Sequence, residues 1–233
     1  MKPRLIPALL LVMLAGCGSG TTTSSIPAGG ETSSATTSAS TTTRAPAAAP
    51  AGCKAVKEPK AKPNGNLKKP STKLDPAKTW TAMVKTNCCT FAFQLDVRKA
   101  PHAAASIDYL AGKKFYDHTV FHRIAPGFVI QGGDPTGSGT GGPGYSTVDK
   151  PPKDTRYTKG VVAMAKSPTE PAGTAGSQFF VVTAADAGLP ADYALLGKVV
   201  DGLDVVEKIG RLGNARQQPT ERVVIETVTV TTS

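Results

Sequence analysis

From residue 81 to residue 230 the chain alternates apolar and polar positions in short runs, interrupted twice by helical spacing. Residues 81–86 and 91–96 alternate on either side of Asn87-Cys88-Cys89, which predicts a β-hairpin. Period two puts Phe91, Phe93 and Leu95 on one face of its second strand. Pro101 opens a helix predicted to reach about Ala111. Proline suits a first helical position, where no donor is needed, and Ala104, Ile107 and Leu110 form an apolar stripe. Phe121 and Ile124 then flank a strand carrying Arg123. Pro126-Gly127 is a turn pair, and Phe128-Val129-Ile130 is a second strand leading to Gln131. Residues 161–165, 179–183 and 195–200 predict three more strands. Asp201-Gly202 precedes a second helix, 203–212, and residues 223–230 close with period-two alternation. Seven or eight strands with two helices predict an all-β fold, a closed eight-stranded antiparallel barrel capped by the helices. A barrel of that size has a packed interior, so any site must lie on its outer surface.

The first 78 residues follow no such pattern. Lys2 and Arg4 precede an apolar run, residues 5–14, too short to span a membrane as a mature helix, and residues 1–16 read as an export signal. The run ends in Leu14-Ala15-Gly16-Cys17, which resembles the bacterial lipobox and implies lipidation of Cys17. The other reading is an ordinary secretory signal with an incidental cysteine. Residues 17–52, dominated by Ser, Thr and Ala, cannot bury enough surface to offset ordering and predict a disordered tether. Residues 53–78 form a Lys/Pro-rich stem, and residues 79–233 the folded domain. Of the net charge of +10, residues 1–78 carry +8, from 11 Lys and Arg against 3 Asp and Glu. A stem with eight lysines between Lys54 and Lys78 would be drawn to anionic headgroups or wall polymers, or would be a plain solvated linker. The near-neutral domain argues against nucleic-acid binding.

Three sequence features that suggest chemistry lack the context they need. Residues 137–142 satisfy G-x-G-x-x-G, but Pro143-Gly144 blocks the helix a dinucleotide site requires. His118 and His122 do not share a helical face, so no metal pair is expected. Ser177 has no assignable histidine to activate it. An exported chain sits where disulfides form, and adjacent cysteines rarely bridge, so Cys53 is expected to pair with Cys88 or Cys89.

The run Phe121-His122-Arg123-Ile124-Ala125-Pro126-Gly127-Phe128-Val129-Ile130-Gln131-Gly132-Gly133-Asp134 closely resembles the signature of the cyclophilins, the peptidyl-prolyl cis-trans isomerases. The likeness continues at Met164-Ala165, at Gly176-Ser177-Gln178-Phe179-Phe180 and at Leu196-Gly197-Lys198-Val199, and covers roughly residues 79 to 231. The resemblance implies that Arg123 is catalytic, donating to the proline nitrogen. It implies that Phe128, Val129, Phe180 and Leu189 wall a proline pocket and that Gln131 and Gln178 bond the substrate backbone. Ala165 and Lys166 would offer main-chain groups, with lysine where the family has Asn, and Tyr193 would keep an aromatic wall. Gly188 falls where a cyclosporin-contacting Trp often stands, which implies weak cyclosporin inhibition. Cys89 falls where the family usually has a turn glycine, which favours Cys88 as the partner of Cys53. A structural ion pair between Arg123 and Asp134 is the competing reading of the guanidinium.

The function implied is isomerisation of X-Pro bonds in exported proteins at the outer face of a bacterial membrane. The protein would be a monomer anchored through lipid on Cys17, acting on unfolded or proline-containing segments without cofactor or metal. A proline-peptide binding module or holdase using the same groove without turnover is the alternative.

Overall fold

A computed structural model describes residues 52–233. The expected signal, the lipidation at Cys17 and nearly all of the expected tether lie outside the described residues. Nine strands make one antiparallel sheet: β1 (Trp80–Thr86), β2 (Cys89–Leu95), β3 (Thr119–Val120), β4 (Arg123–Ala125), β5 (Val129–Gly132), β7 (Val161–Met164), β9 (Phe179–Val182), β10 (Leu195–Asp201) and β11 (Val224–Thr232). Two short strands, β6 (Thr147–Val148) and β8 (Thr174–Ala175), pair separately. The helices are α1 (Pro101–Gly112) and α2 (Leu203–Gly210). Among the described residues no helix is long and apolar enough to cross a membrane.

The sheet order is β3-β11-β1-β2-β10-β7-β9-β5-β4, which corrects the closed eight-stranded barrel to an open half-barrel of nine. Its two edge strands, β3 and β4, are consecutive in the chain, separated only by Phe121 and His122. Phe121 carries no turn: its amide donates to the Val223 carbonyl at 3.0 Å, extending the β3–β11 pairing, and its ring is buried. The chain itself therefore joins the two edges where a ladder of hydrogen bonds was expected.

Local sequence explains most elements. In β1, Ala82, Val84 and Thr86 are buried while Met83 and Lys85 are exposed, the alternation of a half-buried strand. The β1–β2 hairpin closes through Asn87-Cys88, pairing Thr86 with Cys89. Cys89 sits at φ 127°, a region that favours glycine. Helix α1 starts at Pro101 without a side-chain cap of its own. The Asp149 carboxylate takes that role, accepting from the amides of His102 and Ala103 at 3.4 and 2.7 Å. The second helix ends at Gly210, two residues short of the expected stop, because Leu212 has turned toward Thr220. The Leu212 carbonyl accepts from the Thr220 amide at 2.6 Å.

Residues 53–78 are fastened to the domain. A disulfide joins Cys53 to Cys88. The Lys54 amide donates to Asn87 O at 2.9 Å, and Arg222 pairs with Glu58 at 2.9 Å. The Lys62 ammonium donates to the carbonyls of Lys114 and Phe115, just past α1, at 3.3 and 3.0 Å. That placement suits a cation near a helix C-terminus. Burial lowers the Lys62 pKa, with Asp117 opposing. Leu74 is buried in the main core.

Candidate active site

Strands β4, β5, β7 and β9 are apolar on both sides. Ile124, Ile130, Val162, Met164, Phe179 and Val181 belong to the main core with α1 and α2. Their neighbours Ala125, Val129, Val161, Ala163, Phe180 and Val182 form a second cluster around Tyr157 on the opposite face. Phe128, Ala165, Leu189 and Tyr193, themselves only partly buried, pack over that second cluster. An apolar surface roofed by loop residues alone is where a guest side chain can enter.

Arg123 reaches this face by register. It is the direct cross-strand partner of Gln131, which opposes Phe180, which opposes Ala163, so one row crosses four strands. The guanidinium lies 5.7 Å from the centre of the Phe128 ring, within cation–π range. Its NH1 donates to Gln131 Oε1 at 3.1 Å, and its Nε donates to Gln217 Oε1 at 2.7 Å. Gln131 Nε2 donates in turn to Gln178 Oε1 at 3.0 Å, and Gln178 Nε2 donates to the carbonyls of Gly139 and Gly141 at 3.0 and 2.9 Å. Both contacts to Arg123 are neutral amide oxygens. A guanidinium has five N–H donors, so three remain for a ligand.

Asp134 is not its counter-ion. Burial alone would raise the Asp134 pKa, but hydrogen bonds from Gly141, Thr136 and Gly139 outweigh it and hold the carboxyl below its usual range. The glycine run 137–142 thus wraps a carboxylate, with amides of Gly139 and Gly141 at 2.5 and 3.1 Å from Asp134 Oδ2. Among the described residues no salt bridge includes Arg123 and no three His, Cys, Asp or Glu converge as metal ligands.

The chain matches the model of the family "Cyclophilin type peptidyl-prolyl cis-trans isomerase/CLD" over residues 81–230. The chain belongs to the cyclophilin-type isomerases. It is 36% identical over 176 residues to peptidyl-prolyl cis-trans isomerase A of Mycobacterium tuberculosis, covering 66% of this chain and 94% of that one. It is 40% identical over 119 residues to peptidyl-prolyl cis-trans isomerase B of Bacillus subtilis, covering 50% of this chain and 80% of that one. A solved Cryptosporidium parvum cyclophilin, crystallised in the presence of the dipeptide Ala-Pro, superposes with a TM-score of 0.60 at 28% identity. That match covers 66% of this chain and 99% of the other.

Within this cyclophilin the remaining positions fall as follows. Tyr193 stands edge-on to Phe180 at 5.4 Å between ring centres, and its amide donates to the Tyr157 hydroxyl oxygen at 3.0 Å. The Tyr157 hydroxyl donates to Tyr193 O at 2.6 Å, and burial pushes its pKa up to about 12. The Ala165 amide donates to Gln178 O at 2.9 Å, tying β7 to the glutamine chain. Lys166 turns its ammonium away from the surface, to Asp192 at 2.7 Å and Glu170 O at 3.0 Å, over the Tyr193 ring. Gly188 has open space around its α-carbon.

Sequence reasoning missed Gln217. It sits at φ 61° in the loop after α2, where its carbonyl also accepts from the Ile124 amide at 3.0 Å. Gly213 lets the same loop approach: a Cβ there would run into the Ile124 backbone. Nothing local in Arg216-Gln217-Gln218 marks one glutamine as the partner of an arginine 94 residues away.

Proposed function

We propose that the chain isomerises X-Pro bonds of exported proteins at the outer face of the membrane, with Arg123 as the catalytic donor and lipid on Cys17 as the anchor. The observation that carries the catalytic part is a guanidinium held by two uncharged amides beside a loop-covered apolar cluster. Rotation about a peptide bond costs ~18–20 kcal/mol because the nitrogen lone pair is delocalised into the carbonyl. X-Pro is the substrate of choice, since its two isomers differ by only about 1 kcal/mol. A proline ring entering between Phe128, Phe180, Leu189 and Tyr193 brings its nitrogen to the row that holds Arg123. A guanidinium N–H donating to that nitrogen favours the twisted, pyramidal state over the planar one, which is differential transition-state binding. Gln131 and Gln178 aim the donor and grip the peptide on either side. The Cys53–Cys88 disulfide supports an oxidising compartment outside the cytoplasm. The basic and apolar start ending in Leu14-Ala15-Gly16-Cys17 supports export and lipidation.

Replacing Arg123 with Ala in the full chain tests the catalytic assignment in a protease-coupled proline-peptide assay. Isomerase activity is expected to collapse. Equal rates in variant and parent would instead favour a proline-peptide binder or holdase.

A further inference from the structure

The segment Cys53–Leu74 reads in sequence as a linker, yet its middle lies against the loop that holds the glutamine chain. Lys62 N donates to Pro135 O, Gly65 N to Gly142 O and Leu67 N to Pro143 O, each at 2.9 Å. Asn64 Oδ1 accepts from Gly142 N at 3.1 Å. The approach is so close that a Cβ on Gly65 would lie 2.6 Å from Pro143 O, and one on Gly144 would lie 2.6 Å from Gly65 O. The disulfide at Cys53 and the burial of Leu74 hold this strap on either side of the contact.

The strap also borders open space. A groove of about 880 Å³ runs from Gln131 and Gln178 to Asn64 and Gly65, between the 139–146 loop and the 165–170 turn. It meets the apolar cluster at Ala165, which belongs to both. Its lining is mainly glycine backbone, small hydroxyl side chains and amides, the chemistry of a track for extended main chain.

We infer that the disulfide-held strap, through Asn64 and Gly65, is a working wall of the substrate groove that positions the Gln178–Gln131–Arg123 chain for extended polypeptide substrates. This rests on the isomerase reading. The route is continuous: Asn64 and Gly65 hold Gly142, the adjacent Gly141 carbonyl fixes the Gln178 amide, Gln178 accepts from Gln131, and Gln131 accepts from Arg123. A short X-Pro peptide that occupies only the cluster and the Arg123 row needs little of the groove. A long segment runs along it to the strap.

The test compares the full chain with Asn64→Ala, Asn64→Asp, Gly65→Ala and Cys53→Ser, with Lys57→Ala as a strap control. Each is assayed on a blocked four-residue X-Pro peptide and on an unfolded protein whose refolding is limited by proline isomerisation. Gly65→Ala and Asn64→Ala are expected to lower kcat/KM about tenfold on the protein substrate and about twofold on the short peptide, the scale of one or two lost hydrogen bonds. Amide exchange at 139–144 should quicken in both. Asn64→Asp keeps the acceptor and should match the parent, as should Lys57→Ala. Cys53→Ser should follow Gly65→Ala, and it carries the comparison if Gly65→Ala fails to fold. Parental rates on the long substrate in Asn64→Ala and Cys53→Ser, or equal losses on both substrates, would overturn the inference. Affinity for a long, non-refolding proline peptide, measured in parallel, keeps the two readings apart. An inactive parent removes the isomerase reading, whereas equal affinity in parent and variants removes the strap.

Discussion

The two faces of strands β4, β5, β7 and β9 are made of adjacent residues and do different work. Phe179 lies fully buried in the main core against Phe93 of β2 and against Phe121 and Tyr116. Phe180, the next residue, packs on Tyr157 and Tyr193 under a cover of loops. Buried side chains from both helices, the strands and short loops fill the first face, so it holds the shape of the sheet. Loop residues pack over the second face, and a guanidinium stands at its margin over the Phe128 ring. A site can thus be built on a rigid sheet without opening its core.

The largest effect is expected at Arg123. Arg123→Ala should cut kcat/KM by about 100-fold or more, the scale seen when one preorganised donor to a reacting centre is removed. Urea unfolding should move by less than about 0.5 kcal/mol, since the side chain belongs to neither apolar cluster. A large loss of stability would place Arg123 among structural residues instead.

Phe179 and Phe180 test the two faces against each other. Phe179→Ala is expected to cost ~3–5 kcal/mol of stability, as a large deletion from a fully packed core does. Phe180→Ala should cost less stability and raise KM about tenfold, equivalent to roughly 1.4 kcal/mol of substrate contact. Denaturant unfolding beside steady-state kinetics separates the two; matching profiles would erase the distinction between the faces. Cyclosporin should inhibit only weakly, because Gly188 offers no side chain to a large cyclic ligand at the edge of the loop-covered face. Nanomolar inhibition in the same assay would contradict that placement.

A smaller effect is expected with pH. Burial lowers the His122 pKa below 6.5, with Asp134 opposing and Arg123 reinforcing. Its ring nitrogens have no hydrogen-bond partner. Below pH 6.5 the unfolded chain therefore binds a proton that the folded chain resists, so stability falls as pH drops through that window and recovers as it rises. Asp134, whose pKa is depressed, contributes loss only at still lower pH. His122→Gln should flatten the melting temperature between pH 6.5 and 5; an unchanged slope would assign the effect elsewhere. The smallest change is Cys89→Gly, which should stabilise by about 0.5–1 kcal/mol by relieving the φ of 127° at the hairpin corner. Thermal melting would detect it, and a decrease would show that the thiol packs usefully.

Much of the second face could be read in advance. The resemblance to a family names Phe128, Gln131, Gln178 and Phe180 beside Arg123; strand register aligns Arg123, Gln131 and Phe180, while Phe128 and Gln178 join them by contact with Arg123 and Gln131. Lys166 illustrates the limit of that reading. Its backbone position was legible, but its ammonium is folded back onto Asp192 by a turn that no local pattern announces. In the lysine-rich strap the Cys53 staple was legible, but its contacts with glycine backbone were not, since glycine backbone has no hydropathic signature.

The hairpin, both helices and the principal strands follow from the sequence alone, because apolar period and turn chemistry act over a few residues. The tertiary structure alone decided that consecutive segments, β3 and β4, form the opposite edges of an open sheet. It alone brought Gln217 to Arg123 across 94 residues and Asn64 to Gly142 across 78. Those contacts depend on where the chain returns after folding, and a side chain able to accept one hydrogen bond carries no local mark of the donor it will meet.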